Sequence, residues 1–435
     1  MVRFQDPPGT GCWIYAVKNI TIQEERFMMT ISQIKEDLKQ YDRKQLYKDK
    51  VTKMQYEMKK MGVDGIICFK PQNTFYLSGF NPILYSHPVV VLVPAEGEAV
   101  LLVHSLRARH SADEAAIEDI RLFGAWANQK PIAGDAYGAI DIIADDIKIK
   151  HKVLGYEGDF LSLNQYNKLQ DIVKPSKMVD VSDFLKKSRN IKNEYEIGLL
   201  RLSASLTNVG MEAAVANIRR SEAEASIAAE IAMREVWAKE LSEYEISSFG
   251  NTEGGIVTAL WCYSNSGYRV PYGCECPGNR VPLEGEVCLP VCWAAIDGYH
   301  TENERTIMIG KIPEHYEKAY DAMLAGRRNV FEIMKAGVKI GDIYDAGVAP
   351  YIEAGFRDYL PGRIGHGLGM SLHEFPSLNK NNDMVLEEGM VVTVEPGLVF
   401  AGWGSVRHSD TVVVRRDGVE ILTRSPQEGE DRLVR

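Results

Sequence analysis

Three short segments concentrate residues that can move protons or hold a cation. The first is His300-Thr301-Glu302-Asn303-Glu304-Arg305-Thr306. Side chains alternate along an extended chain, so Glu302 and Glu304 share one face there. The second is Gly365-His366-Gly367-Leu368-Gly369, followed by His373-Glu374. Glycine on both sides of His366 lets backbone or a ligand approach, and an imidazole serves as a base or a metal ligand. The third is Val394-Glu395-Pro396-Gly397, a carboxylate that ends an apolar run. His300, close to Glu302, adds a further candidate acid/base. Carboxylates and imidazoles of this kind suit acid–base chemistry, the binding of a cationic group, or a divalent metal.

Strands and helices must bring these segments together. The runs 390–394 and 411–414 read as strands, and strand-like segments dominate 247–309. Helical periodicity marks 193–219, and Ser221 with Glu224 forms a capping box that starts another helix. Further helices are expected over 314–335 and 343–353. Helices flanking a mostly antiparallel curved sheet make 189–435 an α+β domain. Upstream, a helical pattern over 35–60 precedes short apolar runs at 64–69, 88–94, 99–104, 120–123 and 152–156. A helical stretch at 135–149 lies between the last two. This alternation predicts an α/β domain over 36–188, after an N-terminal extension over 1–35.

Composition narrows the functional classes. The chain has 435 residues, 45% hydrophobic and 25% charged, which is the profile of a globular protein and not of a disordered one. A formal net charge of −10 argues against a nucleic-acid partner, which calls for a basic face. No run approaches the roughly 18 uninterrupted apolar residues of a membrane helix. Seven cysteines, odd in number and unevenly spread, suit a reducing compartment. With charges throughout the first thirty residues and no apolar signal core, the expected location is cytoplasmic.

Together the segments resemble the creatinase / aminopeptidase P / prolidase family, whose second domain is the pita-bread fold. The match runs from Tyr76-Leu77-Ser78-Gly79-Phe80 to Arg407 and beyond. Its strongest points are Glu304-Arg305-Thr306, the His366 loop with His373, and Leu386-Glu387-Glu388-Gly389-Met390 leading into Glu395-Pro396-Gly397. The resemblance implies an α/β N-terminal domain and an α+β pita-bread catalytic domain. The family's peptidases hold two metals with two Asp, one His and two Glu. Those positions fall here on Val291, Glu302, His366, Glu395 and Ser409. Val cannot ligate and Ser replaces a bridging carboxylate poorly, so no dinuclear centre is expected. A single divalent metal on Glu302, His366 and Glu395 remains open.

The expected branch is therefore the metal-free, creatinase-like one, hydrolysing a C–N bond of a small cationic guanidino or amidine compound with no cofactor. By that resemblance Glu304 and Glu395 bind the cation, with Glu302 and Arg407 beside them, and His366 and His373 line the same cavity. The creatinase catalytic histidine aligns with Cys274, and the arginines that clamp creatine's carboxylate align with His87 and Ser377. Cys274 or Cys276 becomes a nucleophile where a neighbouring His lowers its pKa. The Cys274/Cys276 and Cys288/Cys292 spacing is not a common zinc pattern. The alternatives are a metal-dependent Xaa-Pro peptidase or other lyase of this fold, and a non-catalytic binding module. The family further implies a homodimer in which Tyr85 and His87 of one first domain help close the other subunit's site.

Overall fold

The computed structural model describes residues 29–249, 259–273, 275–400 and 404–424. Its first part runs α1 (Ile31–Leu38), α2 (Arg43–Met61), β1 (Gly65–Cys68), α3 (Pro71–Ser78), β2 (Val90–Pro94), β3 (Val100–His104), α4 (Ala108–Glu114), β4 (Asp119–Phe123), α5 (Ala136–Asp146), β5 (Val153–Tyr156), α6 (Leu163–Val173), β6 (Lys177–Asp180) and α7 (Ser182–Ser188). The single helical pattern expected over 35–60 is two helices. Asp42 breaks it, accepting a hydrogen bond from the Gln45 amide as the N-cap of α2. Helix α3 was not expected; Pro71 starts it where a missing N–H costs nothing.

Among the described residues the first domain holds a six-stranded sheet in the order β4-β3-β2-β1-β5-β6. Strands β1, β2 and β3 pair antiparallel, β2 and β3 joined by the short Ala95-Glu96-Gly97-Glu98 turn, and the remaining pairs are parallel. Alternation gives each strand two buried faces. Ile67, Val90, Leu92, Val100 and Leu102 pack under α5 and α6. Ile66, Cys68, Val91, Val93, Leu101 and Val103 join a core that continues into the second domain.

The second domain begins with α8 (Glu194–Ala216) and α9 (Glu222–Glu240), each started by the capping box its sequence contains. Then follow β7 (Leu260–Ser266), β8 (Val287–Ile296), β9 (Tyr299–Glu304), β10 (Ile307–Met308), α10 (Glu314–Ile333), α11 (Ile340–Glu353), β11 (His366–Gly367), β12 (Glu374–Ser377), β13 (Val391–Val394), β14 (Gly397–Phe400), β15 (Gly404–Arg407), β16 (Ser409–Val414) and β17 (Val419–Ile421). Among the described residues the sheet runs β10-β8-β9-β16-β13-β11-β12, with β7 on β8 and β17 on β16, all antiparallel. Cys292, Ala294, Val391 and Val413 face the core shared with α8 and α9. Val291, Val392, Val394, Val412 and Val414 face the core with α10 and α11. The two-domain pita-bread architecture implied by the sequence is therefore present.

Buried ion pairs pin this frame. Lys50 of α2 meets Glu196 of α8 at 2.8 Å, and the Tyr299 hydroxyl donates to the same carboxylate at 2.6 Å, joining the two domains. Behind the candidate site, Arg305 and Arg327 both bind Asp410, at 2.7 and 2.6 Å. Burial raises the Asp410 pKa, but the two guanidinium groups overcome it and hold the carboxyl well below the usual range. A depressed pKa stabilises the fold above the unfolded carboxylate value, and that contribution fades as pH falls through it. Asp410→Asn leaves Arg305 buried without its counter-charge and should cost about 3–5 kcal/mol in urea unfolding at pH 7. A cost below about 1 kcal/mol would contradict this account.

Candidate active site

Three neighbouring strands place the carboxylates. The tight turn at Asp297-Gly298 sets the β8–β9 register, so Glu304 lies opposite Val291 and Glu302 opposite Trp293. On its other side Glu304 lies opposite Ser409 of β16. Glu395 follows β13, its amide donating to the Ile364 carbonyl at 2.9 Å. The His366 amide donates to Thr393 Oγ1 of β13 at 3.0 Å. Gly367 is obligatory next to it, because a Cβ there would lie 2.3 Å from the Phe375 carbonyl oxygen.

Glu302, His366 and Glu395 each aim a ligand atom at one place, these atoms all lying within 4.8 Å of one another. His366 Nδ1 lies 3.0 Å from the Gly367 carbonyl, so it carries the proton and leaves Nε2 with a free lone pair. That Nε2 is buried, without a hydrogen-bond partner, and 3.6 Å from Glu395. Glu302 accepts from Ser409 Oγ at 2.6 Å and from Trp293 Nε1 at 2.9 Å. Burial lowers the His366 pKa, only partly offset by Glu302, so its neutral form is favoured. His373 sits with its ring centre 4.4 Å from that of His366 and is likewise held neutral, by burial and by His366.

Arg407 supplies the buried positive charge. Its Nη2 donates to Glu304 Oε1 at 2.9 Å, and its Nε lies against the second oxygen as an ion pair. Burial still raises the Glu304 pKa, Arg407 opposing it and Glu302 and Glu395 adding to it. Burial and then Glu302 raise that of Glu395. Arg363, 3.6 Å from Glu395 and partly exposed, is a second cation at the rim.

The structure thus gathers Glu302, Glu304, Glu395, His366, His373 and Arg407. It assigns other work to His300, whose two ring nitrogens are both engaged, with Gly369 O at 2.9 Å and Ser248 Oγ at 2.8 Å. Both of its nitrogens are thus committed to protein partners, unlike Nε2 of His366. Tyr85 is buried in the core shared with the first domain, and His87 stacks on His104 of β3. Cys274 lies outside the described residues. Cys276 is exposed, whereas Cys288 and Cys292 are buried in β8, so these do not converge as a zinc set. Sequence reasoning missed Trp293 and Arg363. The Asp297-Gly298 turn signal, counted back across the hairpin, would have found Trp293; Arg363 carries no comparable mark.

Comparison with known proteins agrees with this architecture. The model of metallopeptidase family M24 matches residues 198–416, and that of the creatinase/prolidase N-terminal domain matches 50–191. The chain is 29% identical over 375 residues to the protein YkvY of Bacillus subtilis (strain 168), covering 85% of this chain and 96% of that one. It is 26% identical to the Xaa-Pro dipeptidase of Pyrococcus furiosus, over 88% of this chain and 99% of that one. The solved Xaa-Pro dipeptidase from Bacillus anthracis superposes with a TM-score of 0.76 at 24% identity, covering 89% and 100% of the two chains. The expectation of a metal-free, creatinase-like branch finds no support among these relatives, and neither does an absence of cofactor. Three buried carboxylates also make Arg407 indispensable electrostatically. Arg407→Leu should cost about 3 kcal/mol in urea unfolding, and an added divalent cation should restore part of it; an unchanged midpoint would refute this balance of charge.

Proposed function

The chain belongs to metallopeptidase family M24, and from that membership we propose a divalent-metal-dependent hydrolase that cleaves the peptide C–N bond of a small Xaa-Pro dipeptide. One observation carries the reading: the buried His366 Nε2, with no hydrogen-bond partner among the described residues, points where Glu302 and Glu395 also offer oxygens. Three N/O ligands suffice for a catalytic metal with open positions. The residues fit one ion. They do not fit a pair, because Val291 has no donor atom and Ser409 spends its hydroxyl proton on Glu302.

When bound, such an ion supplies Lewis-acid activation of water and of the scissile carbonyl. The remaining work falls to side chains of this protein. Glu304, outside the ligand triad and with a raised pKa, takes a proton from water and passes it to the departing imide nitrogen. Arg407 fixes the orientation of Glu304 and turns its remaining N–H groups to the dipeptide's carboxylate. Neutral His373, open to solvent beside His366, hydrogen-bonds the substrate at the rim. A second reading, hydrolysis of a cationic guanidino or amidine compound, is favoured by one feature: the carboxylates Glu302, Glu304 and Glu395 outnumber the buried cation Arg407.

Metal-stripped protein titrated with Mn²⁺ or Zn²⁺ and desalted should retain one ion per chain by elemental analysis, and His366→Ala should retain none. Xaa-Pro hydrolysis should disappear with the ion, and His373→Ala should lower it by about 10²-fold or more. Retention of no metal by the wild type, with turnover of guanidino compounds alone, would transfer the assignment to the second reading.

A further inference from the structure

The segment carrying both candidate histidines is held from two sides. From the second domain, His300 grips the Gly369 carbonyl and Thr393 grips the His366 amide. From the other side, Gln72 of α3 donates to Ser371 Oγ at 3.2 Å. Glu374 faces two cations of the connector between α7 and α8: Arg189 at 3.5 Å and Lys192 at 3.4 Å. Arg189 reaches on to Asn73 Oδ1, and Asn73 Nδ2 donates to Glu157 at 2.6 Å. The second oxygen of Glu157 accepts the amides of Phe69 and Lys70, at the start of α3.

These five side chains, Glu157, Asn73, Arg189, Glu374 and Lys192, are almost wholly excluded from water. Glu374 is the carboxylate that faces both cations, so its loss leaves buried positive charge uncompensated. Gly369 makes room for the chain, since a Cβ there would lie 2.9 Å from both the Glu374 carboxylate and Lys192 Cε. Glu374 opens β12 immediately after His373, and neighbouring side chains of an extended chain diverge. One therefore turns to the first domain while the other sits beside His366.

We propose that Glu374 is a positioning residue: paired with Arg189 and Lys192, it fixes the segment bearing His366 and His373 against the first domain and so sets where His373 stands over the metal-binding triad. The role of His373 rests on the hydrolase reading above, whereas the anchoring does not.

Two variants test it, Glu374→Gln, which keeps the shape and removes the charge, and the milder Asn73→Ser, which breaks the chain two residues away. By hydrogen-exchange mass spectrometry, peptides spanning 366–378 should exchange about tenfold faster in both, while peptides of β16 and α10 do not change. On an Xaa-Pro dipeptide, kcat should fall by about tenfold or more with KM within about twofold, because misplaced catalytic groups cost rate rather than affinity. Unchanged exchange over 366–378 in both variants, or faster exchange everywhere with a matching fall in Tm, would overturn the proposal. If the wild-type protein cleaves no Xaa-Pro dipeptide, the hydrolase reading fails and the exchange data still decide the anchoring.

Discussion

Three carboxylates, Glu302, Glu304 and Glu395, occupy one buried space, and the rest of the second domain answers to that constraint. Like charges in a medium of low dielectric repel strongly, so each must be protonated, paired or bound to a cation. Arg407 pairs with Glu304, Ser409 and Trp293 donate to Glu302, and Glu395 is left with distant partners at 3.6 Å. The raised pKa values of Glu304 and Glu395 express the strain that remains. A divalent cation next to the free His366 nitrogen would relieve it, which is why the arrangement reads as a metal site and not as a hydrogen-bonded core.

Holding like charges together calls for a frame that does not yield. Residues next to the site in the chain supply it. Residues adjacent in sequence to the site, Arg305 and Asp410, form a buried pair with Arg327, and Arg305 also donates to the Ser409 carbonyl at 2.9 Å. Above and below, α8 with α9 and α10 with α11 close the sheet, so the carboxylates cannot separate without opening a core.

By the family resemblance, Val291 and Ser409 stand where the peptidases' two-metal pattern places carboxylates. Neither departure disturbs the sheet: Val291 packs into the α10/α11 core, and Ser409 keeps its place opposite Glu304. What changes is the chemistry available to Glu302. A carboxylate that would share a second cation accepts a hydroxyl and an indole N–H instead. The family's scaffold is present, and function must be argued from the site and not from the fold.

Much of this was legible in residues close together in the chain. The capping boxes at Asn193 and Ser221, the hairpin at 95–98 and the alternation of Glu302 with Glu304 are local signals, because each depends on neighbours within a few residues. The Glu304-Arg305-Thr306, Gly365-His366-Gly367 and Glu395-Pro396-Gly397 motifs carried the family resemblance, and the resemblance in turn named the candidate ligands. Other features carried no local trace. Asp42 splits a helix whose periodicity runs on unbroken, and His300 stands next to the ligands yet has both nitrogens tied to Ser248 and Gly369. Lys192 and Arg189 read as ordinary charged linker residues until Glu374, far along the chain, is seen to bury them. The sequence by itself determined the family and most of the elements, since those follow from motif and short-range pattern. Only the tertiary structure decided which groups remain free to react, because that depends on partners brought from distant segments and on how far burial strips each group of water.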